Sequence, residues 1–584
     1  MVNTRPLLLA VSVVFGLMTG SVWGQVRNFS SVTDEMLLNP DPADWLMPSR
    51  TYDWQRFSPL DQIHRGNVQQ LRLAWVRGMG PGIQETTPLV HNGVMYVVNP
   101  GALVQALDAT TGDLIWEYRR ELPEGGAAAR SRNLAIYDDV IFYAAPDGYL
   151  VGLDARTGQL RWETKVEDPK TGTRHTSGPI VAGGKVLTGR ACSRERCFIA
   201  AHEARTGREL WRTYTSPTRD EPGGDTWGDL AVQSRVASPW GNPGSYDPAR
   251  GLVYWGIANP TPYTRITRHQ GNAEAVPKST PSELYSNSTV ALDLNTGKIV
   301  WHYQHSPGDD WDLDHVQERM LVKSAVDPDP NAVKWISPSI SRGQERDIIV
   351  TVSEAGGLWT LDRETGRFLW ATPFPYDVPE FHISRIDVAT GQTFINWDLV
   401  AQQDRDRHIV CFHNTKGYWP MAYHPGRNAL YIPYNDYCLD QTANINAPDG
   451  TGPRVTRPRP GADPQALGGI AKVNIATGQL QRFHTQRVPG MGATLATAGD
   501  LVFWGDLNRR FYAFDADTGK ILWETVLGGS IQTSTISYAV NGRQYVAVLT
   551  GEGSITGGIL QYLPEIKPPR AHNAIYVFAL PESR

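Results

Sequence analysis

The sequence predicts an all-β fold, an eight-bladed β-propeller whose repeats dock through tryptophan. Three observations carry that prediction. One phrase recurs along the chain, its first copies stand 46 and 49 residues apart (Gly112 to Gly158 to Gly207), and 584 residues contain 56 Gly and 19 Trp. Such spacings match four-stranded propeller blades, and turn-forming Gly with plate-like Trp is the composition those blades need.

In chain order, the first element is a secretory signal. Arg5 gives a positive start, Leu7 to Met18 an apolar core, and Val22-Trp23-Gly24 a set of residues at the cleavage site. The apolar run is too short to span a bilayer, so residues 1–24 are expected to be removed and 25–584 to form one exported propeller domain. A retained anchor is the alternative. The phrase then appears as ALDATTGDLIW (106–116), GLDARTGQLRW (152–162), AHEARTGRELW (201–211), ALDLNTGKIVW (291–301), TLDRETGRFLW (360–370) and AFDADTGKILW (513–523), with a worn copy, KVNIATGQLQR, at 472–482. Each reads as strand, turn, strand: Asp bonds to turn amides, Gly takes positive φ, and Trp packs on the next unit. The long gaps after Gly207 and Gly366 require insertions or worn copies. A closing blade would join 71–76 to 574–579, which makes eight. Export agrees with four cysteines; four allow three pairings, and the spacing favours Cys192–Cys197 and Cys411–Cys438. No CxxCH is present, so no covalent c-type haem is expected.

A net charge of −5 offers no basic footprint for nucleic acid. The most charged phrase is WHYQHSPGDDWDLDHVQE (301–318). In an extended segment, Asp310, Asp312 and Asp314 would share one face, with Trp311 and Leu313 on the other. Carboxylates that close call for a proton, water or a cation, and an oxygen-preferring metal ion is one answer. A solvated acidic loop is the other.

Together, the TG-x-x-x-W copies, WDLD, GIANP (256–260) and ATLATAGDLVFWGDL (493–507) resemble the pyrroloquinoline quinone (PQQ)-dependent alcohol dehydrogenases of the methanol/ethanol dehydrogenase family, over nearly all of the exported chain. The resemblance implies PQQ and one metal ion, Ca2+ or a lanthanide, on the propeller axis. Trp240 matches the residue that stacks on the quinone, and Arg132 the one facing its oxygens; a core Trp and a surface Arg are the plain alternatives. Glu85, Thr176 and Ser238 match rim contacts. Asn259 and Asp312 match metal ligands, Asp312 also the proposed base. Asp314 resembles the additional acid of the lanthanide-using branch. The alternative to an enzyme is a non-catalytic scaffold in envelope assembly.

Four departures accompany the match. Gly126 and Ala127 replace an adjacent-cysteine pair. Cys192 stands where the family has a metal-binding Glu, for which Glu195 would substitute after a loop shift. Glu354 stands where a Lys or Arg faces the quinone. Met491 replaces an aromatic, and GEGSITGG (551–558) a Trp-bearing turn. Lost lids and indoles imply a roomy pocket, hence a bulky or secondary alcohol in the periplasm, with a soluble cytochrome c as acceptor.

Overall fold

The computed structural model describes residues 24–123, 132–168, 175–192, 195–533 and 535–582. Of the signal segment only Gly24 is among them, and Gly126 and Ala127 lie outside.

Each copy of the phrase folds as two antiparallel strands around one kind of turn. Between Leu103–Asp108 and Leu114–Arg119, Asp108 Oδ1 accepts the N–H groups of Thr110 (2.7 Å) and Thr111 (3.2 Å). The Gly112 N–H returns to the Asp108 carbonyl at 2.8 Å, with Gly112 at φ 77°. Only glycine adopts that backbone freely. The carboxylates of Asp154, Asp293 and Asp515 fix their turns in the same way.

With flanking strands, these hairpins build six four-stranded and two five-stranded sheets among the described residues. The two chain ends share one of them: Arg72–Gly78 pairs with Ala574–Ala579, as the sequence predicts. Sheets meet through a plate set on a residue that has no side chain. A Cβ at Gly158 would lie 2.4 Å from the Trp116 ring, at Gly207 2.4 Å from Trp162, and at Gly297 2.4 Å from Trp211. The Trp116 N–H also donates to the Ala155 carbonyl of the next sheet at 3.0 Å.

One N-terminal segment ties the sheets together. Tyr52 bonds to Val181, Trp54 to Gly244 and Gln55 to Leu321, while the fully buried Arg56 guanidinium donates to the carbonyls of Pro48, Thr494 and Thr535. The long gap before Gly297 is filled by an insertion carrying two buried ion pairs, Arg265–Asp310 and Arg268–Glu283, each at 2.7 Å. Burial alone would raise the Glu283 carboxyl, but Arg268 and a bond from His269 overcome it and hold it down to about 2.

Two expected outcomes follow from this packing. Gly158→Ala forces Cβ into the Trp116 ring and adds backbone strain, so it lowers stability by roughly 1–3 kcal/mol; an unchanged melting temperature contradicts the packing argument. The Glu283 carboxyl is depressed in the folded state, so the stability it contributes is present above its ordinary range near 4.5 and lost as pH falls toward 2. Denaturation midpoints followed downward from about pH 6 should therefore fall less steeply for Glu283→Gln than for the wild type, and equal slopes would contradict the assignment.

Candidate functional site

The predicted residues come from loops that leave the strands at one end of the sheets. Glu85, Arg132 and Thr176 stand just before Leu89–His91, Ala135–Tyr137 and Ile180–Ala182, the first strands of three successive sheets. Val236–Ala237 pairs with Pro260–Thr261, and this short ladder sets Trp240 beside Asn259. Asp312 and Asp314 lie in the loop between Ile299–Gln304 and Met320–Val326.

These loops enclose a cavity with two adjoining lobes of about 480 and 290 Å3. Trp240, Asp312 and Asp314 face both lobes, Arg132, Thr176 and Glu354 the larger, and Ser238 and Asn259 the smaller. Trp240 is held on two sides: its indole N–H donates to Asp314 Oδ2 at 2.8 Å, and its carbonyl accepts the Thr176 hydroxyl at 2.7 Å. Asp314 Oδ1 accepts the Asn259 backbone N–H at 3.2 Å. Arg132 packs over the rings of Tyr418 (4.2 Å) and Trp240 (5.1 Å).

Not every expected residue arrives there. Glu85 lies behind Arg132, its carboxylate taken up by Arg132 (2.9 Å), the Tyr418 hydroxyl (2.5 Å) and the Ser554 N–H (2.8 Å). Burial would raise the Glu85 carboxyl, and those donors lower it below its usual range. Glu195 is exposed and is not brought to the cavity; Cys192, bridged to Cys197, faces it instead. The second bridge is Cys411–Cys438.

The extended reading of 310–314 needs correction. No strand forms there, and Asp312 has φ 64°, which breaks the alternation. Asp310 points away, fully buried on Arg265, while Trp311 and Leu313 are buried as expected.

Two further charged side chains shape the site. Arg454 reaches Asp312 Oδ2 at 2.7 Å and packs over Tyr263 at 4.5 Å. It comes from Thr451–Pro458, a strand of a hairpin outside the repeats. The visible signal was a cluster of Arg454, Arg457 and Arg459 in an acidic chain. Glu354, read from sequence as a misplaced charge, faces Asp312 and Asp314. Burial, then Asp314 and Asp312, push the Glu354 carboxyl well above its usual range; burial and Asp312 do the same to Asp314. Arg132, which also faces the cavity, is committed to Glu85, so the negative charge there exceeds the free positive charge.

The donor set fits the groups the resemblance implies. A flat indole face and two guanidinium groups suit an aromatic polyanion, and clustered carboxylates with an amide oxygen suit a hard cation. Among the described residues no three His, Cys, Asp or Glu side chains converge on one point at ligand distance.

A family model described as the PQQ-type glucose/ethanol/alcohol dehydrogenase β-propeller domain matches residues 45–415 and 465–546. Quinohemoprotein alcohol dehydrogenase ADH-IIG of Pseudomonas putida is 30% identical over 568 residues, covering 90% of this chain and 75% of that protein. Quinoprotein alcohol dehydrogenase PedH of Pseudomonas putida is 28% identical, covering 99% and 97%. Among solved structures, a europium-containing methanol dehydrogenase superposes with TM-score 0.80 at 27% identity, covering 94% of this chain and all of that one. This chain belongs to the PQQ-dependent alcohol dehydrogenase family of β-propeller proteins.

Proposed function

We propose that the exported chain, residues 25–584, is a single eight-bladed propeller domain acting in the periplasm as a PQQ- and metal-dependent dehydrogenase. It oxidises a bulky or secondary alcohol to the carbonyl and passes electrons to a soluble cytochrome c. The observation that carries this reading is the convergence of Arg132, Thr176, Trp240, Asp312 and Asp314, from distant parts of the chain, on one cavity. A scaffold has no use for that convergence.

Bound there, PQQ would supply the two-electron acceptor and the cation a Lewis acid. Trp240, fixed at its N–H and its carbonyl, offers a flat apolar face to the quinone ring. Arg132, Thr176 and Ser238 supply polar contacts at its rim, and Glu85 acts one layer back by orienting Arg132. Asn259, Asp312 and Asp314 offer oxygen ligands to Ca2+ or a lanthanide, and a second acid at 314 favours the higher charge. Arg454 fixes Asp312 Oδ2 and leaves Oδ1 free to accept the alcohol's hydroxyl proton. Ser554 and Ile555, from GEGSITGG, face the larger lobe without an indole, which supports a large substrate. Among the described residues no helix is long and apolar enough to cross a membrane.

Apo-protein loaded with PQQ and Ca2+ or a lanthanide should reduce an electron-accepting dye faster with cyclic secondary alcohols than with methanol. A preference for methanol would contradict the substrate assignment. Asp312→Ala should lower turnover by about 10²–10⁴-fold, the range of a general base, with the melting temperature kept; a loss below about tenfold would contradict its role.

A further inference from the structure

The cation site described above lacks a ligand, because Cys192 stands where a Glu is expected and Glu195 is turned to solvent. We propose that Glu354 supplies it, coordinating a hard, oxygen-preferring cation together with Asp312, Asp314 and Asn259. This inference rests on the reading of the cavity as a PQQ and metal site.

Glu354 sits in the turn between strands Gln344–Ser353 and Gly356–Asp362 and is 8% exposed. Its carboxylate faces the larger lobe and accepts no hydrogen bond from any described residue. The nearest basic group, His413 Nε2, is 3.9 Å away, and burial beside Arg454 keeps that imidazole neutral. A largely buried carboxylate that opens only onto the cavity, with no donor among the described residues, is favoured when a proton or a cation joins it there. Its backbone is already tied to the site: the Glu354 N–H donates to the Asp314 carbonyl at 3.1 Å, and the Glu354 carbonyl accepts the Thr415 N–H at 3.2 Å. This backbone link keeps the two side chains on the same cavity.

Unpartnered oxygens in the adjoining lobe point the same way. The Asn259 amide nitrogen is held on the Pro260 carbonyl at 3.0 Å, while its oxygen accepts nothing from the described residues and the residue is 3% exposed. Ser238 Oγ, also buried, has no hydrogen-bond partner among the described residues. Carboxylates, an amide oxygen and a hydroxyl are the ligands of calcium-like ions, not of soft metals. Arg454 offsets one of the three carboxylates, and a divalent ion would neutralise the other two. The negative charge at position 354 is then a ligand moved to a different loop, with Arg454 carrying the positive charge.

The test uses the full-length apo-protein and Tb3+, with Ca2+ as competitor, alone and with PQQ present. Luminescence titration gives affinity, and lifetimes in H2O and D2O count the waters left on the ion. For Glu354→Gln, affinity should fall at least tenfold and the ion should gain about one water; Glu354→Asp should recover part of the affinity. Affinity within about twofold of wild type, or a fall with no change in bound water, would overturn direct ligation by Glu354 and leave the site itself standing. If the wild type bound neither ion under either condition, the reading of the cavity as a metal site would fall with it.

Discussion

Among the described residues three carboxylates share one cavity with two guanidinium groups, Arg132 paired with Glu85 and Arg454 with Asp312, and the rest of the site is arranged around that imbalance. Asp312 is relieved by Arg454 at 2.7 Å, and Asp314 by the Trp240 indole and an Asn259 amide. Glu354 is relieved by nothing within hydrogen-bonding reach. Like charges in a medium of low polarity repel strongly, so this end of the molecule is stable either with protons on its acids or with a cation among them. On the reading proposed above, the same repulsion would become affinity for a bound cation.

The fold makes that concentration of charge tolerable. Trp plates on glycines hold successive sheets in register, and residues 52–56 bond to carbonyls and amides of distant sheets. The buried Arg265–Asp310 and Arg268–Glu283 pairs anchor the insertion and, through Asp310, the acidic loop. Asp312 can keep φ 64° because its neighbours, Trp311 and Leu313, are locked in the core on either side. A charged loop held between tightly packed sheets is a frame that keeps the cavity open.

Much of this was legible in the sequence, for reasons that differ by residue. The repeats announce themselves because nearly every turn uses the same acidic residue, Thr and Gly, and most close on a Trp. Trp240, Asn259 and Asp312 stand in short motifs whose order survives insertion. Asp310 was misread because alternation assumes an extended chain, and one left-handed residue at 312 undoes the assumption. Glu195 lies close in sequence to the expected position, but it is exposed and does not line the cavity. Arg454 escaped notice because it arrives from a hairpin that belongs to no repeat, 142 residues beyond its partner. Glu354 was visible as an inverted charge; what the sequence could not convey is that Arg454 had taken the opposite sign to the same place.

The central claim is that remote loops jointly hold one cation beneath a planar redox ring. Anomalous diffraction from crystals of the protein loaded with PQQ and Ca2+ or a lanthanide tests it most directly. The account predicts one strong peak at about 2.3–2.6 Å from oxygens of Asp312 and Asn259, beside flat density lying on the Trp240 indole. A peak elsewhere, or none in the cavity of loaded protein, would contradict it.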